Sequence, residues 1–235
     1  MDLKEQNALG SQADSHWYYV SKARMIAGHL PARRRLVLDV GAGIGWFGKW
    51  LIGNSGVAEV VCVDPGYDVP DQTVDYMGHR LRFVRSVKET DADVVLLMDV
   101  LEHVDDDVAV LKQYWELARP GTTFIITVPA FNFLWSAHDD FLEHRRRYTI
   151  GSLRKTIIHA GAQPQSMHYF FAAVLPVAAA VRCLRRGRVP EGSDMAAVPN
   201  FVNSFLTMVC GLERRLSRFN KIGGLSVVAV LKKPE

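Results

Sequence analysis

The chain has 235 residues, of which 49% are hydrophobic, and this is enough to bury one core in a single α/β domain. Its 28 basic and 25 acidic residues give a net charge of +3, a balance that does not indicate a nucleic-acid partner. Cys62, Cys183 and Cys210 lack metal-ligand spacing, which indicates reduced, buried thiols in a cytoplasmic protein. The first residues have no basic start followed by an apolar stretch, so no signal peptide is expected.

Strands and helices alternate along the chain, which predicts an α/β fold with a doubly wound, mostly parallel, seven-stranded sheet. We predict strands near 36–40, 58–64, 81–85, 93–98, 122–128, 165–170 and 225–232. We predict helices near 16–30, 45–53, 105–118 and 150–160, with two more at about 171–187 and 199–219 between the last two strands. The prolines and glycines of 65–80 leave room there only for a short helix.

Neither an internal repeat nor a low-complexity linker divides the sequence, so we expect one domain over 1–235. Its predicted parts are an N-terminal cap helix (1–35), a cofactor-binding core (36–170), a helical insert or lid (171–220) and the last strand (221–235).

The segment 36–64 predicts a site for a nucleotide-like cofactor. An apolar strand leads into Gly41-Ala42-Gly43-Ile44-Gly45, and a second apolar run ends at Asp64. Glycines allow a ligand to lie against the backbone, and Asp64 could accept hydrogen bonds from two ribose hydroxyls. Asp39 would repel a pyrophosphate and would suit the amino group of a methionyl moiety. Two alternatives are a GxGxxG dinucleotide fingerprint over 43–48 and glycines that serve only helix–strand packing.

These segments, together with 93–104 and its "DVLEHV" end and with 118–129, resemble the ordered motifs of the class I S-adenosylmethionine-dependent methyltransferases. The resemblance implies a Rossmann-like methyltransferase fold, S-adenosylmethionine as cofactor and S-adenosylhomocysteine as product. It also implies that the cofactor is held by Asp39, Gly41, Ala42, Gly43, Gly45, Asp64, Pro65, Ser86, Asp99 and Val100. Many relatives carry an acidic residue after the third strand that contacts the adenine amino group. The corresponding stretch here is 82–89, in which Ser86, Val87 or a backbone group would have to make this contact.

The loop 130–148 resembles that of a bacterial small-molecule subgroup with a "WSxHDxxxxHxRRY" pattern and a "HWWF"-like start, here His16-Trp17-Tyr18-Tyr19. Ligands bind outside the carboxyl ends of the strands, so this loop is expected near the transferable methyl. Candidate catalytic residues are His138, His144 and His103, and candidate substrate residues are Trp135, Asp139, Arg147 and Tyr148. Alternatively, His138, Asp139, His144 and Arg147 form a clamp that shapes the loop, and Arg145–Arg147 pair with nearby acids rather than with an anionic acceptor.

A metal is not expected, although Glu102, His103 and His144 are its ligands if there is one. They resemble the acid–acid–His–His set of some metal-dependent members of the superfamily, but Asp99 stands where those members have a longer Glu.

The apolar run 170–181 is too short to span a bilayer and is followed by Arg182, Arg185, Arg186 and Arg188. Peripheral membrane contact through 170–188, a buried cap helix and a homodimer contact all remain open. Tyr18, Tyr19 and Arg24 are candidate lid residues.

The sequence thus predicts a methyltransferase that acts by O- or N-methylation on a small molecule, such as a saccharide, a lipid-linked compound or a natural-product intermediate. It would be cytoplasmic, with contact to the membrane left open. The alternatives are an NAD-dependent oxidoreductase and a catalytically inactive cofactor-binding partner protein.

Overall fold

The structure is a computed structural model that describes residues 14–68, 70–184 and 198–235. Its strands are β1 (Leu36–Val40), β2 (Glu59–Val63), β3 (Gln72–Tyr76), β4 (His79–Val84), β5 (Val94–Met98), β6 (Thr123–Pro129), β7 (Pro164–Phe170) and β8 (Ser226–Lys232). Its α-helices are α1 (Trp17–Ala27), α2 (Trp46–Ser55), α3 (Asp107–Leu117), α4 (Ala137–Phe141), α5 (Ile150–His159), α6 (Leu175–Leu184) and α7 (Asn200–Leu216). Single 3₁₀ turns lie at Asn132–Leu134 and Ser217–Phe219.

One sheet runs through the protein in the order β3-β4-β2-β1-β5-β6-β8-β7. The five strands from β4 to β6 are parallel, whereas β8 is antiparallel to both of its neighbours and β3 is antiparallel to β4. The predicted doubly wound, mostly parallel α/β fold is therefore confirmed. Helices cover both faces because the central strands, β1 and β5 above all, are apolar along nearly their whole length.

The strand number is eight rather than the predicted seven, because 65–80 contains the strand β3, whereas β4 corresponds to the strand predicted near 81–85. β3 and β4 are joined by Met77 and Gly78, which have φ values of 57° and 78°. Two positive φ values are typical of the tight turns whose twist matches that of a hairpin. The side chains of β3 are mostly exposed, so this strand carries no alternating apolar pattern that could reveal it.

Two apolar clusters, one on each side of the sheet, form the core. The first includes Leu111 and Trp115 of α3 and Ile157 of α5, and the second includes Ile26 of α1 and Leu51 of α2. Neighbouring residues of a strand point to opposite faces, so β1 contributes to both clusters.

Along the chain, α6 and α7 follow β7 and precede β8, near their predicted positions. Residues 185–187, which were predicted to belong to the first of these two helices, fall outside the described residues. Of the helices in the described ranges, none has both the length and the apolar character that crossing a membrane requires. Cys62 and Cys210 are buried free thiols, as predicted, whereas the side chain of Cys183 falls outside what the structure describes.

Candidate active site

A cavity of about 600 Å³ lies at the carboxyl ends of the parallel strands, where ligands bind in doubly wound sheets. The glycine turn after β1 and the segments after β2, β5 and β6 form its floor and sides. The helices α1 and α6 contribute further walls.

The glycine turn and Asp64 form one end of this cavity. Gly41 and Gly43 have φ values of 63° and 53°, and a Cβ on Gly41 would lie 2.7 Å from Val100 Cγ2. Only glycine fits such a position without strain. The carboxylate of Asp64 accepts hydrogen bonds from the N–H of Gly43 (3.0 Å) and of Gly66 (2.9 Å). Backbone donors therefore fix Asp64 beside the turn.

Some of the other predicted cofactor residues line the cavity, and others shape the glycine turn. Pro65, Asp99 and Val100 line the cavity, as do Gly41, Gly43 and Asp64. Gly45 is the left-handed N-cap of α2, and its N–H donates to the carbonyl of Ala42 (2.9 Å), so both residues shape the turn.

Asp39 and Ser86 lie outside the cavity wall. Asp39 is 1% exposed beneath the turn, where burial raises the pKa of its carboxyl to about 7. A backbone hydrogen bond from Gly48 acts in the opposite direction on this pKa. Ser86 is exposed at the end of β4.

A buried ion pair between Lys22 and Asp99 joins α1 to the end of β5. The Lys22 ammonium is completely buried and donates hydrogen bonds to the Asp99 carboxylate and to the Tyr18 hydroxyl (3.0 Å). Thr127 donates to the other Asp99 oxygen (3.1 Å). Burial acts to lower the pKa of Lys22, but Asp99 and Tyr18 outweigh it and raise the pKa above its ordinary value. Lys22 is thus a charged residue beside the cavity that the sequence analysis missed.

A polar cluster of Glu102, His103 and His144 forms another part of the cavity wall. Each of the three offers one atom, and these atoms lie within 4.8 Å of one another. The rings of His103 and His144 meet edge to face with centroids 4.7 Å apart. His138 lines the same cavity. All three histidines that the sequence proposed as catalytic therefore reach one chamber.

Glu102 is the most unusual member of this cluster. Its side chain is fully buried, and neither carboxyl oxygen has a hydrogen-bond partner among the described residues. Burial, together with the nearby Asp99 carboxylate, raises the pKa of Glu102 well above its usual range. Burial therefore favours the protonated form of this carboxyl, and that form can donate a hydrogen bond.

Asp139 fixes the orientation of the His144 ring through a contact with its Nδ1 atom. Asp139 Oδ1 lies 2.8 Å from His144 Nδ1 and accepts from Arg147 Nε at 2.7 Å. Its Oδ2 accepts from Arg147 Nη2 (3.0 Å) and from the N–H of Ser136 (2.8 Å). Burial opposes ionisation, but His144 and Arg147 outweigh it and hold the pKa of Asp139 well below its usual range. An ionised Asp139 requires the proton of neutral His144 on Nδ1, which leaves Nε2 as an acceptor.

The three consecutive arginines pair with acids of this chain, which agrees with the clamp alternative. Arg147 binds Asp139, Arg145 Nη1 lies 2.5 Å from Asp105 Oδ1, and Arg146 Nη1 lies 3.4 Å from Asp107 Oδ1. Arg145 and Arg146 also donate to carbonyl groups of 103–105. They hold the segment that carries Glu102 and His103.

Of the four predicted substrate residues, only Arg147 lines the cavity. Asp139 is fully buried behind His144. The Tyr148 hydroxyl donates to Asp107 Oδ2 (2.8 Å), and the Trp135 indole donates to Asp140 Oδ1 (3.0 Å). These three residues lie outside the wall and shape the loop around it.

The helix α6 supplies wall residues that were not among the predicted site residues, among them Val177, Val181 and Arg182. The basic flank of this apolar helix was the available signal, but sequence alone does not show which face meets the cavity. Of the candidate lid residues, Tyr18 and Tyr19 line the cavity, and Arg24 is exposed outside it.

Several solved structures share this fold. A methyltransferase from Archaeoglobus fulgidus, described as S-adenosylmethionine-dependent, is 16% identical, with a TM-score of 0.58 over 97% of each chain. The Haemonchus contortus phosphoethanolamine N-methyltransferase 2 in complex with S-adenosylmethionine is 12% identical, with a TM-score of 0.60 over 99% of this chain and 56% of that one. A Burkholderia thailandensis 1,6-didemethyltoxoflavin-N1-methyltransferase with bound 1,6-didemethyltoxoflavin and S-adenosylhomocysteine is 18% identical, with a TM-score of 0.53 over 98% of this chain and 82% of that one.

No protein of curated function matches the sequence significantly. A family model described as a methyltransferase domain matches residues 17–167, which include the glycine turn, Asp99 and the loop with His138 and His144. The matched range is well over half of the chain, and it carries most of the cavity. The chain belongs to this methyltransferase-domain family.

Proposed function

We propose that the chain is an S-adenosylmethionine-dependent methyltransferase that methylates an oxygen or nitrogen of a small polar acceptor. The observation that carries the proposal is one cavity whose wall contains two chemically different groups of residues. One group is the glycine turn with Asp64, and the other is Glu102, His103 and His144. The family match and the cofactors bound in structures of the same fold support this assignment.

The cofactor end fits an adenosine-containing ligand of this kind. Gly41 and Gly43 leave their backbone open to a ligand, and Asp64 offers carboxylate oxygens for ribose hydroxyls. The Lys22–Asp99 pair lies beside the middle of the cavity, where Asp99 would meet the methionyl part. When bound, S-adenosylmethionine supplies an electrophilic methyl group on a sulfonium.

His144 is our proposed general base. Its Nδ1–H donates to Asp139, so Nε2 can take a proton from an acceptor hydroxyl or ammonium group. Asp139 then stabilises the imidazolium that forms. Glu102, in the protonated form that its burial favours, can donate a hydrogen bond to the acceptor, and His103 and His138 complete the polar wall. Ala42, Gly45, Asp39, Tyr148 and Trp135 act as positioning residues, and a role for Ser86 with the adenine remains a prediction.

The same cluster would be the ligand set of a divalent metal, since its three ligand atoms lie close together. We keep metal-independent transfer as the proposal, because Asp99 is engaged by Lys22 and Thr127. Methyl transfer from labelled S-adenosylmethionine to a panel of hydroxyl and amine acceptors should survive prolonged chelation. Loss of transfer on chelation, restored by a divalent cation, would assign a metal to Glu102, His103 and His144.

Calorimetry tests the cofactor assignment directly. We expect S-adenosylhomocysteine to bind the full chain and NAD not to bind. Asp64→Ala should weaken the binding about tenfold or more, because the ribose loses a charged acceptor. Asp68→Ala is the matched control, since Asp68 is an exposed acid four residues further on and outside the cavity wall. Binding of NAD in place of S-adenosylhomocysteine would favour the oxidoreductase alternative.

A further inference from the structure

The outer face of α7 carries a continuous exposed apolar stripe. Its members are spaced by three or four residues and are 56% to 77% exposed: Phe201, Phe205, Met208, Leu212 and Leu216. This spacing places all five on one side of a helix, over a length of about 22 Å. Phe219 and Ile222, which follow the helix, are 68% and 94% exposed and extend the apolar surface.

The stripe is not the face by which α7 is attached to the protein. The opposite face packs on α1, where Cys210 is fully buried. Asn203 accepts a hydrogen bond from the N–H of Trp17 (2.7 Å) and donates to the carbonyl of Ser15 (2.9 Å). The helix is therefore held in place, and its apolar stripe is left facing outward.

Basic residues surround the C-terminal end of the stripe. These are Arg215 and Arg218, which are exposed, and neither of them makes an ion pair in the part of the chain that the structure describes. Glu213 is the single acid between 200 and 222, and its carboxylate accepts from the N–H groups of Ala172 and Ala173. The stripe therefore combines an apolar face with uncompensated positive charge.

We propose that this face of α7 docks on an anionic lipid surface. An amphipathic helix with Phe and Leu on one face and arginines at its border is typical of binding in the membrane interface. A second copy of the chain fits less well, because its matching face would carry the same positive charge and would supply no acid to pair with these arginines. A single helical stripe is also small beside the roughly 800 Å² that each partner of a standard interface buries. Membrane contact through 170–188 was one of several alternatives that the sequence left open, whereas the contact proposed here lies on α7.

The docking face is linked to the wall of the cavity. Glu213 connects α7 to the segment just before α6, and Val177 of α6 lines the cavity while being 64% exposed. The helix α1, on which α7 packs, carries Tyr18 and Lys22 at the site. Lipid docking would thus bring the cavity close to the membrane. The inference itself does not depend on the proposed methyl transfer.

Co-sedimentation of the full chain with vesicles tests the proposal. We expect binding to vesicles that contain phosphatidylglycerol and much weaker binding to pure phosphatidylcholine, with a decrease at high salt. Phe205→Glu/Leu212→Glu should reduce binding about tenfold or more, because it places charge in the apolar stripe. Both side chains are exposed, so the variant should keep its thermal midpoint and its affinity for S-adenosylhomocysteine.

Ile158→Glu is the matched control, because Ile158 is also an exposed apolar residue on a helix, α5, outside the proposed face. It should bind the anionic vesicles as the unaltered chain does. The proposal is overturned if the unaltered chain ignores anionic vesicles, or if Phe205→Glu/Leu212→Glu binds them normally. A concentration-dependent dimer that this variant abolishes, without vesicle binding, would assign the stripe to a second copy instead.

Discussion

Lys22 and Asp99 form an ion pair that is buried on the lysine side and borders the cavity. Lys22→Met should lower the free energy of unfolding by about 3 kcal/mol, because it leaves the Asp99 carboxylate without its counter-ion. Lys22→Met/Asp99→Asn should recover part of that loss. Chemical denaturation of the single and double variants measures the coupling. If the two single effects simply add, the ion pair contributes nothing to stability.

The tautomer of His144 is the second prediction at the scale of single residues. Its contact with ionised Asp139 predicts that neutral His144 carries its proton on Nδ1 and that Nε2 is unprotonated. Nitrogen-15 NMR of labelled histidine distinguishes the two nitrogens directly. In Asp139→Asn this preference should weaken, and turnover on any acceptor that the unaltered chain methylates should fall about a hundredfold. A proton found on Nε2 would contradict the proposed base.

Single residues of the site were predictable where a local pattern marks them. Gly41, Gly43, Asp64 and Asp99 stand in motifs, and the structure places all four in the cavity wall. Lys22 has no such mark, since a lysine on an amphipathic helix usually lies at the surface. Its burial depends on Asp99, 77 residues further along the chain, and only the packing of α1 on the sheet brings the two together.

At the scale of elements, the turn between β1 and α2 is where backbone geometry limits the choice of residue most strongly. Gly41→Ala should cost about 1 to 3 kcal/mol more than Gly56→Ala, because the new Cβ would overpack against Val100. Both positions have positive φ, but a Cβ on Gly56 would meet no described atom within 4 Å. Thermal unfolding of the two variants separates steric conflict from backbone strain. Equal costs would show that the contact with Val100 relaxes freely.

The elements that the sequence predicted well have strong apolar periodicity or long apolar runs. α3 is one of them, and Asp106 caps it by accepting from the N–H of Ala109 (2.8 Å). The strand β3 and the short α4 were missed, each for its own reason. β3 buries almost nothing, and the five-residue α4 is held by its capping box and by contacts of Asp139.

At the scale of the whole molecule, alternating strands and helices were sufficient to predict the sheet and the edge where the cavity lies. An N-terminal cap helix and a lid over 171–220 were also predicted, but the alternation does not show which faces of these helices meet the cavity. The packing of α1 and α6 over the strand ends depends on contacts between distant segments, such as that of Arg182 with the carbonyl of Leu134 (2.6 Å). A single sequence carries no local signal for such pairs.

The stability of the molecule should depend on pH through His168 of β7. His168 is fully buried, its two ring nitrogens have no hydrogen-bond partner among residues the structure describes, and burial lowers its pKa to about 4. The unfolded chain, with an ordinary histidine pKa near 6.5, binds more protons between these two values. The contribution of neutral His168 to the free energy of unfolding is therefore fully present above about pH 6.5. It is lost progressively as the pH falls towards 4.

Denaturation of the unaltered chain and of His168→Leu across this range measures the effect. The unaltered chain should lose up to about 3 kcal/mol more than the variant between neutral pH and pH 4. A difference between the two proteins that does not change with pH would contradict the assignment.

A crystal structure of the full chain with S-adenosylhomocysteine tests the central claim most directly. The account predicts ribose hydroxyls at Asp64, backbone contacts with Gly41 and Gly43, and the thioether sulfur turned towards Glu102, His103 and His144. A ligand bound with its adenosine at the histidine cluster, or a cavity that stays empty at saturating ligand, would contradict it.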